Sequence, residues 1–157
     1  MIARYAAEGW GVGELWFEDG LLAWHELPRP TSGTVPAMSG IVPDRGGLAG
    51  RLVAYFAGEE VEFGDVELEL DWCTPFQRAV AETLRAVPYG ETVTYGELAA
   101  LAGYPNAQRA AGTFCARNRL PVLLPCHRVV AATGLGSYGS LGVEYKRRLL
   151  ALERVPL

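Results

Sequence analysis

The 157-residue chain has little of what builds metal sites and disulfide frameworks: it holds three cysteines and two histidines. They are too few and too scattered for a zinc framework or a disulfide scaffold. No apolar run approaches the ~18 residues that cross a bilayer. Glu8 and Glu14 interrupt the stretch where a secretory signal needs an apolar core. We therefore expect a cytoplasmic protein without membrane contact, in a reducing compartment where a thiol stays available for chemistry.

Charge is divided unequally along the chain. Residues 1–73 carry four arginines against thirteen acidic residues, a net charge of −9, whereas residues 74–157 carry nine arginines and one lysine against five acidic residues, a net charge of +5. Clustered cations, rather than a positive total, are what neutralise phosphate groups. The second half is therefore where we expect contact with DNA or RNA, with chance asymmetry as the alternative explanation.

The length fits one domain or two small ones, and we place a boundary between residues 73 and 74. In the first half, short apolar runs around Asp19-Gly20 predict a β-hairpin, and apolar residues between Leu48 and Phe56 recur at helical spacing. Residues 27–45 are rich in proline, glycine and serine, which predicts a long loop. Alternation over residues 66–70 predicts a strand. With no catalytic pattern here, we expect a scaffold domain.

Two capping boxes mark helix starts in the second half. Thr74 precedes Pro75 and Gln77, a hydroxyl, a first-turn proline and an amide at the spacing of a helix N-terminus. Thr94 and Glu97 have the same spacing and predict a second helix.

A third helix is predicted from Pro105 through Arg117, and a last one from about Val143 to Glu153. The second and third helices, joined by a tight glycine-containing turn, match a helix-turn-helix, although an ordinary αα-hairpin is commoner. Arg109 and the small residues near it favour a helix-turn-helix, because small side chains permit close approach of the backbone to DNA. These small residues are Ala107, Ala110, Ala111 and Gly112.

Cys126 and His127 place a thiol beside an imidazole within an apolar run. A thiolate is the nucleophilic form of cysteine, and a nearby imidazole or cation favours it. Neighbouring residues do not automatically face each other, so the dipeptide alone fits a buried structural cysteine better.

Seven segments of the second half change that balance: Phe76-Gln77, Pro88 to Thr92, Thr94 to Ala99, Arg109 to Gly112, Asn118, Pro125 to Val130, and Lys146 to Glu153. Together they make residues 74–154 resemble the O6-alkylguanine-DNA alkyltransferase family, also called methylated-DNA–protein-cysteine methyltransferases. The resemblance implies an α/β (α+β) fold, with a ribonuclease-H-like N-terminal sheet domain and a winged-helix-like C-terminal domain that contains the helix-turn-helix.

The resemblance also implies an activity. The family transfers an alkyl group from guanine O6 in double-stranded DNA to one cysteine, which matches Cys126, after the base has left the stack. The thioether product is too stable to release, so each molecule acts once. We expect a monomer that needs neither a metal nor an organic cofactor.

Individual roles follow from the same resemblance. His127 matches the general base, which acts on the thiol through a water, and Glu153 matches the carboxylate that orients it. Arg109 matches an arginine that enters the duplex and fills the place of the flipped base. Tyr95 matches a tyrosine that helps to rotate the nucleotide, and Asn118 an asparagine with a structural role.

The substrate pocket is expected to involve Val129, whose carbonyl would accept a hydrogen bond from the guanine amine, and a loop at residues 138–140. Gly139 stands where the family has a tyrosine, one residue after Tyr138, and Ser140 matches a residue near guanine O6. Either the loop shifts so that Tyr138 takes the pocket role, or the pocket is more open.

Three other hypotheses remain in view. One is an alkyltransferase-like protein that recognises damaged guanine without repairing it, although such proteins lack the reactive cysteine. The others are a helix-turn-helix regulator with an incidental thiol, and a cysteine hydrolase that turns over a thioester.

Overall fold

A computed structural model describes residues 1–30 and 47–157. In these ranges the chain is a mixed α/β protein with one three-stranded antiparallel sheet and five α-helices. It divides into two compact units, Met1–Glu69 and Leu70–Leu157. The predicted boundary after residue 73 lies four residues further on, and the roles assigned to the two halves stay predictions.

The sheet of the first unit is built from β1 (Ile2–Ala7), β2 (Gly11–Glu18) and β3 (Leu21–Arg29), in that order. Asp19 and Gly20 join β2 to β3, and both adopt positive φ angles, 50° and 81°. Positive φ at both central residues suits the right-handed twist of a tight hairpin. The predicted hairpin is confirmed.

Helix α1 (Leu48–Phe56) confirms the helical spacing noted in the sequence. It contacts β1 and buries Leu52, Tyr55 and Phe56, with the Phe56 ring stacked on that of Tyr5 at 6.2 Å between centroids. The core of this unit therefore lies between the helix and one face of the sheet.

Two predictions for the first unit need correction. The loop predicted over residues 27–45 begins too early, because Leu27–Arg29 are the end of β3, where Arg29 lies opposite Val12; residues 31–45 lie outside the described residues. The strand predicted over residues 66–70 is wrong, since Leu68 makes only an isolated bridge to Leu22. Alternation alone does not make a strand when just one residue finds a ladder partner.

The second unit contains α2 (Pro75–Arg85), β4 (Val93–Thr94), α3 (Tyr95–Leu101), α4 (Gln108–Ala116), β5 (Val129–Val130) and α5 (Val143–Leu152). Both predicted capping boxes are confirmed. The Thr74 hydroxyl accepts from the Gln77 N–H and the Thr94 hydroxyl from the Glu97 N–H, each at 3.1 Å.

Two helix ends differ from the prediction. The third helix begins at Gln108 instead of Pro105, because Asn106 has a φ of 71°, which an α-helix does not accommodate. The last helix ends at Leu152, and Glu153 is its C-cap.

A short parallel pairing positions the site of the second unit. Val93 of β4 lies opposite Val129 of β5, and Thr94 opposite Val130. The residues just before β5 are thereby held beside the start of α3. Across the described residues, no helix combines the length and apolar character that spanning a membrane requires.

Gly13 in β2 provides a test of the first unit's packing. A Cβ at this position would lie 2.4 Å from the ring of Tyr5, which is buried and bonded to His25 at 2.6 Å. We expect Gly13→Ala to lower the free energy of unfolding by about 1–3 kcal/mol through overpacking. Urea titration followed by fluorescence measures the change.

The matched control is Gly64→Ala in the same unit, where a Cβ meets nothing within 4 Å. It should leave the unfolding midpoint unchanged. Equal midpoints for the two variants would contradict the packing described for Tyr5.

Candidate active site

Cys126, His127 and Arg128 form a single 3-10 turn directly before β5. All three are buried, with exposed fractions of 4%, 0% and 7%. Because β5 pairs with β4, this turn is fixed at the edge of a short ladder. Three polar side chains thus enter the interior of one small unit, where each needs hydrogen-bond partners.

The Cys126 sulfur has two polar neighbours. Asn118 Nδ2 donates to it at 3.2 Å, and the Tyr138 side chain interacts with it. Burial raises the pKa of the Cys126 thiol, while the interactions with Asn118 and Tyr138 and the charge of Lys146 pull that pKa part of the way back. The site favours a thiol at rest but holds donors ready for a thiolate.

Asn118, two residues beyond α4, fixes the chain that leads to the thiol. Its Nδ2 also donates to the Leu124 carbonyl at 2.8 Å, and its Oδ1 accepts from the Leu120 N–H at 2.9 Å. One amide therefore spans the segment between α4 and Cys126. These contacts tie the segment together, and the structural role expected of Asn118 stays a prediction.

Glu153 is the most heavily bonded side chain of the cluster. Its Oε2 lies 2.6 Å from His127 Nε2, and its Oε1 accepts from the Gly90 N–H at 3.0 Å. Arg128 donates to both oxygens, from Nε to Oε1 at 2.9 Å and from Nη2 to Oε2 at 3.0 Å. The third group that Arg128 reaches is the Val87 carbonyl, at 2.8 Å.

These contacts set the charges of the pair. Burial alone would raise the pKa of Glu153, but the hydrogen bonds and charges of His127 and Arg128 outweigh it and hold that pKa well below its usual range. Burial lowers the pKa of His127, and the bond and charge of Glu153 raise it. The charges of Arg128 and Lys146 act with burial, so the pKa of His127 ends below its usual value.

Tyr95, the first residue of α3, belongs to the same cluster. Lys146 Nζ lies 3.4 Å from the Tyr95 hydroxyl and donates to the Ser137 carbonyl at 3.2 Å. Burial raises the pKa of Tyr95 to about 12, with smaller contributions from the Cys115 and Cys126 thiols. Gly136 leaves room for this phenol, since a Cβ there would lie 3.0 Å from its oxygen.

The predicted DNA-contacting residues lie along the first half of α4. Arg109 and Ala110 are exposed, while Ala107, which is the N-cap, and Gly112 are half-buried. Gly112 faces the Tyr95 ring, with 3.7 Å from its Cβ position to Cδ1. The helix therefore presents Arg109 to solvent while its other side touches the tyrosine of the cluster.

The loop before α5 distinguishes between its two predicted residues. Tyr138 is buried, interacts with the Cys126 thiol and stacks on Tyr145, whereas Ser140 is exposed. Gly139 has a φ of 51°, and a Cβ there would lie 3.2 Å from the Ala116 carbonyl oxygen. A tyrosine is strained in that conformation, which explains why the loop's aromatic side chain stands one residue earlier.

Access to the thiol is restricted, because Cys126 is 4% exposed. A groove of about 300 Å³ runs beside α4, but its walls are residues near the start of α2 and on α4, such as Phe76, Ala110 and Arg117, and do not include Cys126. Val129, the other predicted pocket residue, is fully buried in β5. Within the described residues, no three His, Cys, Asp or Glu side chains gather as a metal site would require.

Sequence reasoning did not find two members of this cluster. Lys146 is 0% exposed, whereas in the sequence it counted only toward the charge of the second half and as part of a segment of the family resemblance. The sequence did indicate that Lys146 is buried, because Lys146 lies three and four residues before Leu149 and Leu150 and so shares their buried face of α5. Arg128 forms an internal salt bridge with Glu153, which lies 25 residues away, so no local spacing in the sequence marks the pair.

Comparison with known proteins gives the family. A model described as the DNA-binding domain of 6-O-methylguanine DNA methyltransferase matches residues 75–155. The methylated-DNA–protein-cysteine methyltransferase of Mycolicibacterium paratuberculosis is 42% identical over 139 residues, which cover 88% of this chain and 74% of that protein. The chain belongs to the methylated-DNA–protein-cysteine methyltransferase family. The relative from Methanopyrus kandleri is also 42% identical, over 82% of this chain and 93% of its own length.

Solved structures of methyltransferases agree with this assignment over the whole fold. Mycobacterium tuberculosis OGT, crystallised in complex with DNA, superposes with a TM-score of 0.78 at 38% identity, covering 98% of this chain and 92% of that one. The O6-methylguanine-DNA methyltransferase of Pyrococcus kodakaraensis gives a TM-score of 0.75 at 25% identity, covering 99% and 100%. Methyltransferase membership therefore extends to the first unit, which the family model does not cover.

The buried pair predicts a pH dependence of stability. A carboxylate with a lowered pKa stabilises the fold fully above its unfolded value of 4.5, and this contribution is lost as the pH falls below it. Glu153→Gln should lose about 3–5 kcal/mol at pH 7, because Arg128 is left buried without its counter-charge. Its unfolding midpoint should then change less than that of the wild type from about pH 5 to pH 3.

Urea titrations at several pH values measure both effects. Glu144→Gln, which removes an exposed carboxylate from the first turn of α5, is the control and should keep the wild-type profile. A Glu153→Gln profile as steep as the wild type's would show that the acid sensitivity arises elsewhere.

Proposed function

We propose that this protein repairs DNA by direct reversal, transferring the alkyl group from O6 of an alkylated guanine to Cys126, once per molecule. The relatives that carry the methyltransferase name support the reaction, and the M. tuberculosis complex supports DNA as the partner. The observation that carries the proposal in this chain is the buried contact of 2.6 Å between His127 and Glu153, next to the thiol residue.

The hydrogen-bond pattern supports a proton path. Because Glu153 is held ionised, it accepts at Oε2, and the shared proton belongs to His127 Nε2. The lone pair of the neutral imidazole is then on Nδ1. This nitrogen would receive the thiol proton through a water, as the resemblance to the family implies. Cys126 would attack as a thiolate that Asn118 and Tyr138 stabilise by donation.

The transfer balances without any further group. A sulfur–carbon bond forms while the carbon–O6 bond breaks, and the displaced guanine takes up the proton that left the thiol. The product is a thioether, whose carbon has no good leaving group, so the thiol is not regenerated. The proposed reaction therefore needs no metal or organic cofactor, and the alkylated protein is its end product.

The substrate base has to leave the duplex, because the O6 carbon is out of reach of a thiol within the stack. The exposed position of Arg109 supports its role as the side chain that fills the vacated place. Tyr95, between α4 and the thiol cluster, would meet the rotating nucleotide. Since Cys126 is 4% exposed, the base would reach the sulfur only after groups around it move.

The pocket would be formed by Tyr95, Val129 and Tyr138, and the contact of Tyr138 with the thiol supports the shifted loop over the more open pocket. Ser140 would approach guanine O6 only if its exposed turn moves inward. The small residues Ala107, Ala110 and Gly112 would let the backbone of α4 approach the DNA.

Finer assignments belong to the same proposal. The helices α3 and α4 would form the helix-turn-helix of a winged-helix-like second domain, and the first unit would be a ribonuclease-H-like scaffold. The protein would act as a monomer on double-stranded DNA that carries O6-alkylguanine. The need for a reduced thiol supports the cytoplasm as its compartment.

Cys126→Ala should abolish transfer from a duplex containing O6-methylguanine, because no other group holds the nucleophile's place. Mass spectrometry of wild-type peptides should show one methyl group per molecule, on the peptide that contains Cys126, and a restored guanine in the DNA. Binding of the damaged duplex by the variant should stay within a few-fold of the wild type.

Cys73→Ala is the matched control and should transfer normally. Transfer by Cys126→Ala would refute the nucleophile assignment. Repeated turnovers would instead identify a hydrolase, and binding without methylation would identify a damage recogniser or a regulator.

Arg109→Ala should slow transfer from duplex DNA at least tenfold, the scale of about 1.4 kcal/mol in base eversion. Reaction with free O6-benzylguanine should change much less, because that substrate needs no flipping. Single-turnover kinetics on both substrates measure the difference, with Arg147→Ala, an exposed arginine of α5, as the control. Equal losses on the two substrates would argue against the role of Arg109 in the duplex.

A further inference from the structure

Arg128 is enclosed by acceptors on each of its nitrogens. Nε and Nη2 bind the two oxygens of Glu153 at 2.9 and 3.0 Å, and Nη1 binds the Val87 carbonyl at 2.8 Å. The Tyr89 ring lies 5.8 Å from its guanidinium carbon. With 7% exposure, this side chain contacts neither solvent nor the thiol to any useful extent. Its contacts lead to the carboxylate that orients His127.

The donors are divided evenly between the oxygens of Glu153. Oε1 accepts from Gly90 N–H and Arg128 Nε, and Oε2 faces His127 Nε2 and Arg128 Nη2. A carboxylate held at both oxygens cannot rotate, so its direction toward the imidazole is set by the planar fork of Arg128. The geometry of the contact between Glu153 and His127 Nε2 thus depends on Arg128. Arg128 binds Glu153 and not Nδ1, the imidazole nitrogen that would accept the thiol proton.

The charges of the cluster also indicate that Arg128 acts on His127 through Glu153. A buried carboxylate beside an imidazole normally stabilises the imidazolium, and a protonated His127 could not accept a proton from the thiol. The groups that face His127 are Glu153, Arg128 and Lys146. One anion is therefore met by two cations, and a further positive charge on the ring would be buried without compensation.

We propose that Arg128 is a positioning residue of the transfer reaction: its guanidinium occupies both oxygens of Glu153, so that the carboxylate orients His127 while the imidazole stays neutral and able to accept the thiol proton. This inference rests on the proposed function. It assigns Arg128 a role in the reaction beyond that of joining the 3-10 turn to α5.

The test is the pH dependence of single-turnover transfer from an O6-methylguanine duplex. Arg128→Gln removes the cation, so His127 should stay protonated to higher pH. We expect its acid limb to move up by about one pH unit, its rate to fall about tenfold at pH values on that limb, and the rate to recover by about pH 9. Arg128→Lys retains the positive charge but loses the planar guanidinium that binds both oxygens of Glu153. The acid limb of its pH–rate profile should therefore stay at the wild-type pH, while its transfer rate falls.

Arg4→Gln is the matched control. Arg4 Nε lies 2.9 Å from Glu14 Oε1, the same atoms and distance as in the Arg128–Glu153 pair, but the Arg4 side chain is 48% exposed. Arg4→Gln should leave both the transfer rate and the pH of the acid limb unchanged. If Arg128→Gln is slow at every pH with a wild-type limb, Arg128 only holds the fold together, and the inference is overturned.

A second measurement needs no variant of Arg128. The chain has two histidines, so the ring-nitrogen NMR signals of His127 are assigned by comparison with His127→Gln. In the wild type, His127 should be neutral at pH 7 with its proton on Nε2. A cationic ring at pH 7 would overturn the inference even if Arg128→Gln does not fold.

The two proposals fail differently. If the wild type transfers nothing to Cys126 at any pH, the proposed function fails, while the NMR titration still decides the charge of His127. If the wild type transfers normally and Arg128→Gln retains its rate and limb, only the role of Arg128 fails.

Discussion

Glu153, at the end of α5, accepts hydrogen bonds from three residues in two other parts of the second unit: Gly90 in the segment after α2, and His127 and Arg128 in the 3-10 turn. Burying a carboxylate costs free energy unless its lone pairs are used and its charge is met. Here both conditions hold at once. The requirement to satisfy this one group therefore fixes the path of the chain around the proposed nucleophile.

The same arrangement separates two demands on the thiol site. Burial favours the protonated form of Cys126 at rest, while Asn118 donates a hydrogen bond to the sulfur. A protonated thiol resists adventitious oxidation and alkylation, since the thiolate is the reactive form. A protein that acts once has a particular need for this restraint, because every unproductive reaction at the sulfur would consume a molecule.

Features encoded by neighbouring residues were predictable from the sequence. The capping boxes at Thr74 and Thr94 and the Asp19-Gly20 hairpin each depend on residues no more than three positions apart, and the structure confirms all three. The strand β1 was not predicted, because two of its three buried positions are alanines, Ala3 and Ala7, which give a weak alternation. Local rules failed where pairing with a distant segment decided the outcome.

In the candidate active site, too, neighbouring residues were predictable and contacts with distant residues were not. The motif around Cys126 named the residues, but their partners are 25 or more residues away for Arg128, and 51 away for Lys146 and Tyr95. Such pairs follow from the fold and leave no spacing signature in the chain. The glycine at residue 139 is an intermediate case: its identity hinted at an altered loop, and the close Ala116 carbonyl supplies the reason.

Lys146 is the only lysine of the chain, and it is fully buried. Acylating reagents that couple to lysine amines would consequently find no accessible lysine on the folded protein, and the amine beside Tyr95 would stay untouched until the second unit unfolds.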